Sequence, residues 1–119
     1  MKWNTSFSGS VKPSKQRTYV REAPLHIRNT FLGSHLSKDL RNKLKMRSLR
    51  VRKGDKVIII SGKDKGVSGT VARAFPKKGR VIVTGANVLK VHQRPRKSGE
   101  KGQIIDKSMP IDVSNVKKV

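Results

Sequence analysis

One stretch constrains this chain more than any other: Lys53-Gly54-Asp55-Lys56-Val57-Ile58-Ile59-Ile60-Ser61-Gly62-Lys63-Asp64-Lys65-Gly66-Val67-Ser68-Gly69-Thr70-Val71. The β-branched run Val57 to Ile60 favours extended backbone, and β-prone residues resume at Gly69-Thr70-Val71 after a lysine-rich break. The order predicts a strand, a tight basic loop and a second strand. A short loop that reverses a strand needs φ > 0 at some position, which glycine adopts at little cost. Gly66, just before the second strand, is the candidate for that position, with Gly62 opening the loop. Gly69 lies inside a strand pattern, where glycine marks a bulge or the close approach of another backbone, and RNA is a candidate for that backbone.

Glycine spacing alone is shared by many unrelated hairpins, so the surrounding residues carry the weight. A valine-rich strand, Gly-Lys-Asp-Lys-Gly and then Gly-Thr-Val resemble the KOW motif of ribosomal proteins and transcription elongation factors. The resemblance continues through the hairpin Pro76-Lys77-Lys78-Gly79, the strand Arg80-Val81-Ile82-Val83 and the turn Gly85-Ala86-Asn87. Together these are similar to the universal family of large-subunit ribosomal proteins numbered twenty-four in the bacterial scheme. The segment Pro110-Ile111-Asp112-Val113-Ser114-Asn115-Val116 resembles that family's closing segment. The resemblance implies binding near the 5′ region of large-subunit rRNA, a part in early subunit assembly and a position near the polypeptide exit. It favours Lys63 and Lys65 most strongly as RNA contacts.

Charge points the same way. The 119 residues include 29 Lys and Arg against 7 Asp and Glu, a net charge of +22. Self-repulsion of that size destabilises an isolated compact state, so a polyanionic partner is implied. Residues 1–53 hold 14 basic and 2 acidic residues and residues 54–119 hold 15 and 5, so both halves face the polyanion. A membrane surface would need an amphipathic apolar face or lipid anchor, and neither is evident. No apolar run approaches transmembrane length, and the N-terminus lacks the apolar segment of a signal peptide. A cytoplasmic location, in the large ribosomal subunit, is expected. The absence of cysteine rules out disulfides, cysteine-ligated zinc and thiol catalysis. With 34% apolar and 4% aromatic residues the core is expected to be small.

Residues 1–51 read as a basic extension with two short helices and 52–119 as the KOW domain. Met1 to Thr18 lacks hydrophobic periodicity and is expected to be disordered when free. Elsewhere Lys12, Lys15 and Arg17 would read as a solvated tail; in a chain this basic they read as an arm that folds onto RNA, with Trp3, Phe7 and Tyr19 available to stack on bases. Glu22 to Gly33 is expected to be helical, with Pro24 in the first turn, Glu22 near the positive end and Gly33 at the stop. Ile27 with Phe31, and Leu25 with Leu32, supply its apolar stripe. A second helix is expected from Ser37 to Lys45, capped by Ser34 or Ser37, with Leu36, Leu40 and Leu44 on one face and Lys38, Arg41 and Lys45 on another. The connection through Gly33 makes the pair a helical hairpin. This extension is similar to that of archaeal and eukaryotic family members, whereas His92 to Val116 looks more like the bacterial form; an archaeal source is expected.

Met46 to Lys53 reads as a basic edge strand, Leu49 and Val51 on one face, Arg50 and Arg52 on the other. Val88 to Gln93 reads as a strand with Lys90, His92 and Arg94 on one side. Arg94 to Gly102 is a loop by composition, Gln103 to Lys107 a strand, and Val116 to Val119 closes the sheet. The expected fold is mainly β: a small SH3-like five-stranded barrel behind a basic arm and helical hairpin.

Enzyme chemistry is not expected. The acids Glu22, Asp39, Asp55, Asp64, Glu100, Asp106 and Asp112 form no close pair in sequence, and His26, His35 and His92 have neither metal-ligand spacing nor a partnered nucleophile. The GxxxxGK[ST] phosphate loop is absent. No cofactor is expected. The reading is a structural rRNA-binding protein of the large subunit, with neighbouring ribosomal proteins as further partners and no obligate homo-oligomer. The expected RNA contacts are Lys12, Lys15, Arg17, Arg21, Arg28, Arg41, Lys45, Arg47, Arg50, Arg52, Lys63, Lys65, Lys77, Lys78, Arg80, Lys90, His92, Arg94, Arg96 and Lys97. The main alternative is a KOW-type elongation or antitermination factor, although residues 1–51 are too short and basic for the polymerase-binding domain that precedes KOW in such factors. A DNA-compacting protein is a third class, for which a dimerisation stripe is lacking.

Overall fold

In the computed structural model, which describes residues 2–119, the Val57–Ile60 run and the Gly69–Val71 segment form the expected strand pair. Strands β3 (Lys56–Ile59) and β4 (Ser68–Phe75) run antiparallel, Val57 facing Gly69. A bulge between Val71 and Arg73 bends β4, which pairs onward with β5 (Arg80–Val83) across the turn at Pro76–Gly79. A bulge raises local twist, which lets one long strand take part in both halves of a curved sheet. On the far side of β3 lies β9 (Val116–Lys118), and β5 pairs with the short β8 (Ile111–Asp112).

The sheet does not stop there. Strand β1 (Gly33–Leu36) runs parallel to β9, and β2 (Ser48–Arg50) pairs antiparallel with β1 as the expected basic edge strand. The result is a seven-stranded sheet in the order β2-β1-β9-β3-β4-β5-β8. No pairing among the described residues joins β2 to β8, so the strands form an open sheet and not a closed five-stranded barrel. Two strands of that sheet precede Arg52, and one of them, β1, is tied by backbone pairing to β9. The remaining strands, β6 (Val88–Gln93) and β7 (Gln103–Ser108), pair only with each other as a separate hairpin.

The core is aliphatic. Leu32, Val51, Val57, Ile59, Val71, Val81, Val83, Ala86, Val113 and Val116 form one buried cluster, with Ala74 and Ile111 packed against it. Alternation places these side chains inward: in β3 and β5 every second residue is buried.

The N-terminal segment departs most from expectation. A 3₁₀ turn at Thr5–Gly9 leads to α1 (Pro13–Glu22), then α2 (Leu25–Thr30), so regular structure begins well before Thr18. Met1, where the disordered arm was expected to start, lies outside the described residues. Proline at the first position of α1 has φ already set for a helix and lacks only an N–H that would be unpaired there. Aromatic contacts supply burial that apolar periodicity did not reveal. Trp3 and Tyr19 stack with centroids 5.5 Å apart, the Trp3 Nε1–H donates to the Tyr19 carbonyl at 3.0 Å, and Tyr19 meets Phe31 edge-on at 6.0 Å. These rings stack on one another, not out toward bases, and Phe7 lies beneath the Lys15 ammonium at 5.5 Å.

The helix expected from Glu22 to Gly33 is shorter. Glu22 closes α1, extended backbone at Ala23 and Pro24 breaks the chain, and Gly33 opens β1. The second helix is as expected: α3 (Lys38–Leu44) begins at Ser37, whose Oγ accepts from the Leu40 N–H at 3.4 Å, and ends at Lys45 in the left-handed region, φ 50°. No helical hairpin forms, because β1 lies between α2 and α3. Leu36, expected on the α3 stripe, is instead fully buried in β1, which leaves Leu40 half-buried and Leu44 exposed.

Candidate nucleic-acid interface

The loop between β3 and β4 is closed at its neck by two backbone bonds, Gly66 N–H to the Ile59 carbonyl at 2.7 Å and Ile59 N–H to the Val67 carbonyl at 3.0 Å. Gly62 and Gly66 have φ of 102° and 89°, the left-handed conformation that the sequence assigned to this turn. Lys63 and Lys65 are exposed, whereas Asp64 between them is half-buried. Its Oδ2 accepts the Asn87 N–H at 2.7 Å; the Asn87 side-chain amide donates to the Met109 carbonyl at 3.2 Å, and the Met109 N–H returns to the Asn87 carbonyl at 3.0 Å. This chain of bonds fastens the lysine loop to the root of the β6–β7 hairpin. Sequence reasoning passed over Asp64 and Asn87; an acid inside a lysine loop and an asparagine after Gly-Ala were the available signals, and Asn87 has φ 51°.

Gly69 does meet another backbone, but its own. A Cβ there would lie 2.6 Å from the Thr84 carbonyl oxygen and 2.6 Å from a Val83 methyl, so glycine is required by the β4–β5 approach and not by RNA.

Of 29 Lys and Arg, only two form ion pairs among the described residues. Lys118 Nζ lies 2.8 Å from Asp55 Oδ2, which also accepts the Arg52 N–H at 2.7 Å; this half-buried pair fastens β9 to the chain entering β3. Arg21 and Glu22 pair at the surface, 2.7 Å apart.

The expected contact residues fall in four places. On the central sheet, Lys63 and Arg80 are exposed and line one cleft, and Lys77 and Lys78 are exposed on the β4–β5 turn. Along α1, Arg17 and Arg21 share a groove with Lys77, Lys12 is exposed at the helix start, and Lys15 is half-buried over Phe7. On the hairpin, Lys90 and His92 are exposed on one strand face, with Asp106 opposite Lys90 in register. Arg94, Arg96 and Lys97 follow in its exposed tip, where Arg94 and Arg96 line a recess with Lys101 and Glu100. Beside α3 and β2, Lys45, Arg47 and Arg52 are exposed and Arg50 is half-buried. Arg28 and Arg41 are the most enclosed: Arg28 donates to the Arg21 carbonyl, and the Nε atoms of both are buried without a partner. Arg73 was missed; it is exposed after the β4 bulge, 5.0 Å above the Phe75 ring.

Among the described residues no cluster of three or more histidines and acids could hold a metal ion, and no helix is long and apolar enough to cross a membrane.

The family described as "Ribosomal proteins L26 eukaryotic, L24P archaeal" matches residues 10–117. Proteins named large ribosomal subunit protein uL24 are similar. That of Laribacter hongkongensis is 56% identical over 68 residues, 56% of this chain and 64% of that protein. That of Chlorobium phaeovibrioides is 52% identical over 75 residues, 63% of this chain and 94% of that protein. That of Geobacillus stearothermophilus is 54% identical over 68 residues, 57% of this chain and 66% of that protein. The eukaryotic and archaeal family therefore matches most of the N-terminal extension as well, while these bacterial relatives align with little more than half of the chain. The matching span and the level of identity together establish that the chain belongs to the uL24 family of large-subunit ribosomal proteins.

Proposed function

We propose that the chain binds large-subunit rRNA as a structural, non-enzymatic component of the subunit, that it assists early assembly near the 5′ region of that RNA, and that it sits near the polypeptide exit. The observation that carries the rRNA reading is the charge left unpaired: two ion pairs among the described residues against 29 cationic side chains, in a fold whose core cluster is wholly aliphatic. The family resemblance supplies the assembly role and the location. In this reading the exposed lysines and arginines neutralise phosphates and fix position, and the shape of loop, hairpin and helices fitted to folded RNA supplies specificity. The chain acts as a single copy among neighbouring ribosomal proteins.

The test is ultraviolet crosslinking of the native protein in cells with sequencing of the attached RNA. One reproducible large-subunit rRNA region is expected. Nascent messenger RNA spread along genes would point to transcription instead, and recovery mainly of DNA would overturn both.

A further inference from the structure

An open cleft of about 360 Å³ lies where the β3–β4 loop, the Asn87 turn and the segment from Pro110 to Asn115 meet. That volume lies within the range of small-ligand pockets, about 300–1,000 Å³. Its lining is divided. Ile59, which is 2% exposed, and the half-buried Ile111 give it aliphatic wall. Lys63 and Arg80 are its exposed cations. Ser61 and Asn115 also line it, and their side chains make no hydrogen bond to any described residue.

Two carboxylates complete the site, and they decide what enters. Asp64 and Asp112 both line the cleft, and each already has an oxygen engaged, Asp64 by the Asn87 N–H and Asp112 by the Ser114 N–H and hydroxyl. Their negative charge disfavours a phosphate inside, while the free lone pairs accept N–H groups. An aliphatic wall with unpaired amide and hydroxyl groups suits the flat face and hydrogen-bonding edge of a nucleobase, and the cations suit the phosphate attached to it. A base paired and stacked inside a helix presents neither its faces nor its Watson–Crick edge. We infer that this cleft receives the base of one unpaired nucleotide of the bound RNA, with Lys63 and Arg80 on the flanking phosphate. The inference rests on the rRNA-binding reading above and adds to it a contact that discriminates unpaired from helical RNA.

The test uses the full chain and a transcript of the 5′ domain of large-subunit rRNA. Ser61 is exposed, so Ser61→Trp fills the cleft without disturbing the core, and Asn115→Ala removes the free amide. Each is expected to weaken binding about tenfold, the scale of one lost base contact, with the salt slope unchanged because the phosphate count is unchanged. Base-specific chemical probing should show one unpaired nucleotide protected by the native chain and exposed with Ser61→Trp. In parallel, at least one of the four nucleoside 5′-monophosphates should shift the amide signals of Ser61 and Asn115 saturably, and inorganic phosphate should not. Native-like affinity and protection with Ser61→Trp, or equal shifts with inorganic phosphate, would overturn the cleft while leaving rRNA binding intact. Failure of the native chain to bind the transcript would remove the parent reading, and the cleft with it.

Discussion

Gly66 and Gly69 stand three residues apart and need glycine for different reasons. Gly66 has φ 89° with open space where a Cβ would go, so its constraint is conformational; Gly69 has no such φ but would drive a Cβ into the Thr84 carbonyl. Gly66→Val is expected to cost about 1–3 kcal/mol through backbone strain, and Gly69→Ala a similar amount, about 1–3 kcal/mol, through overpacking. Thermal unfolding checks both, and an unchanged midpoint in either variant would show that its constraint is misassigned. The first was legible in sequence because turn chemistry is local. The second was not, since the atoms that exclude a side chain arrive from Val83 at the end of β5 and from Thr84 just past it, fourteen and fifteen residues away. Asp64 follows the same logic: one of its carboxylate oxygens accepts the Asn87 N–H from 23 residues away. Asp64→Ala leaves that N–H without its partner, at a cost of about 1–3 kcal/mol, and should speed exchange of the Asn87 amide well above its native rate. Unchanged exchange there would mean that the bond does not hold the turn.

At the scale of elements, what was read correctly has its cause nearby in the chain. Helix α3 was found from Ser37 and its leucine spacing, and β3 and β5 from β-branched runs. Strand β1 was missed because Gly33-Ser34-His35-Leu36 carries no β-forming signal, and because Leu36 falls in step with Leu40 and Leu44. It is a strand because its alternate residues Ser34 and Leu36 are buried where β9 and β2 pair with it. The exposure of most of these cations was legible from composition, but not the enclosure of Arg28 and Arg41, which depends on how helices pack. Hairpin β6–β7 has the opposite character. It pairs with no other strand and exposes Val88, Leu89 and Ile104, the last at 61%. A two-stranded hairpin without such packing is marginal in water. Its amides are therefore expected to exchange much faster than those of β3 and β4 in the free protein and to slow on RNA binding. Equal protection of the hairpin and the central strands in the free state would contradict this.

For the whole molecule, the same charges act with opposite sign on folding and on binding. At +22, with two ion pairs among the described residues, the free chain repels itself, and added salt screens that repulsion over a Debye length that falls from about 30 Å at 0.01 M to about 8 Å at 0.15 M. The unfolding midpoint of the free protein is expected to rise as salt is added across that range. The rRNA binding proposed above is expected to run the other way, because each neutralised phosphate releases condensed counterions. If about 6–10 phosphates are contacted, affinity for an rRNA fragment falls by about 10³–10⁵ between 50 and 200 mM salt. Thermal unfolding and RNA titration over one salt series measure both slopes. A binding affinity nearly independent of salt would remove the electrostatic basis of recognition, and a midpoint that fell with screening would show that attraction within the fold, chiefly Lys118 with Asp55, outweighs the repulsion of the unpaired charges.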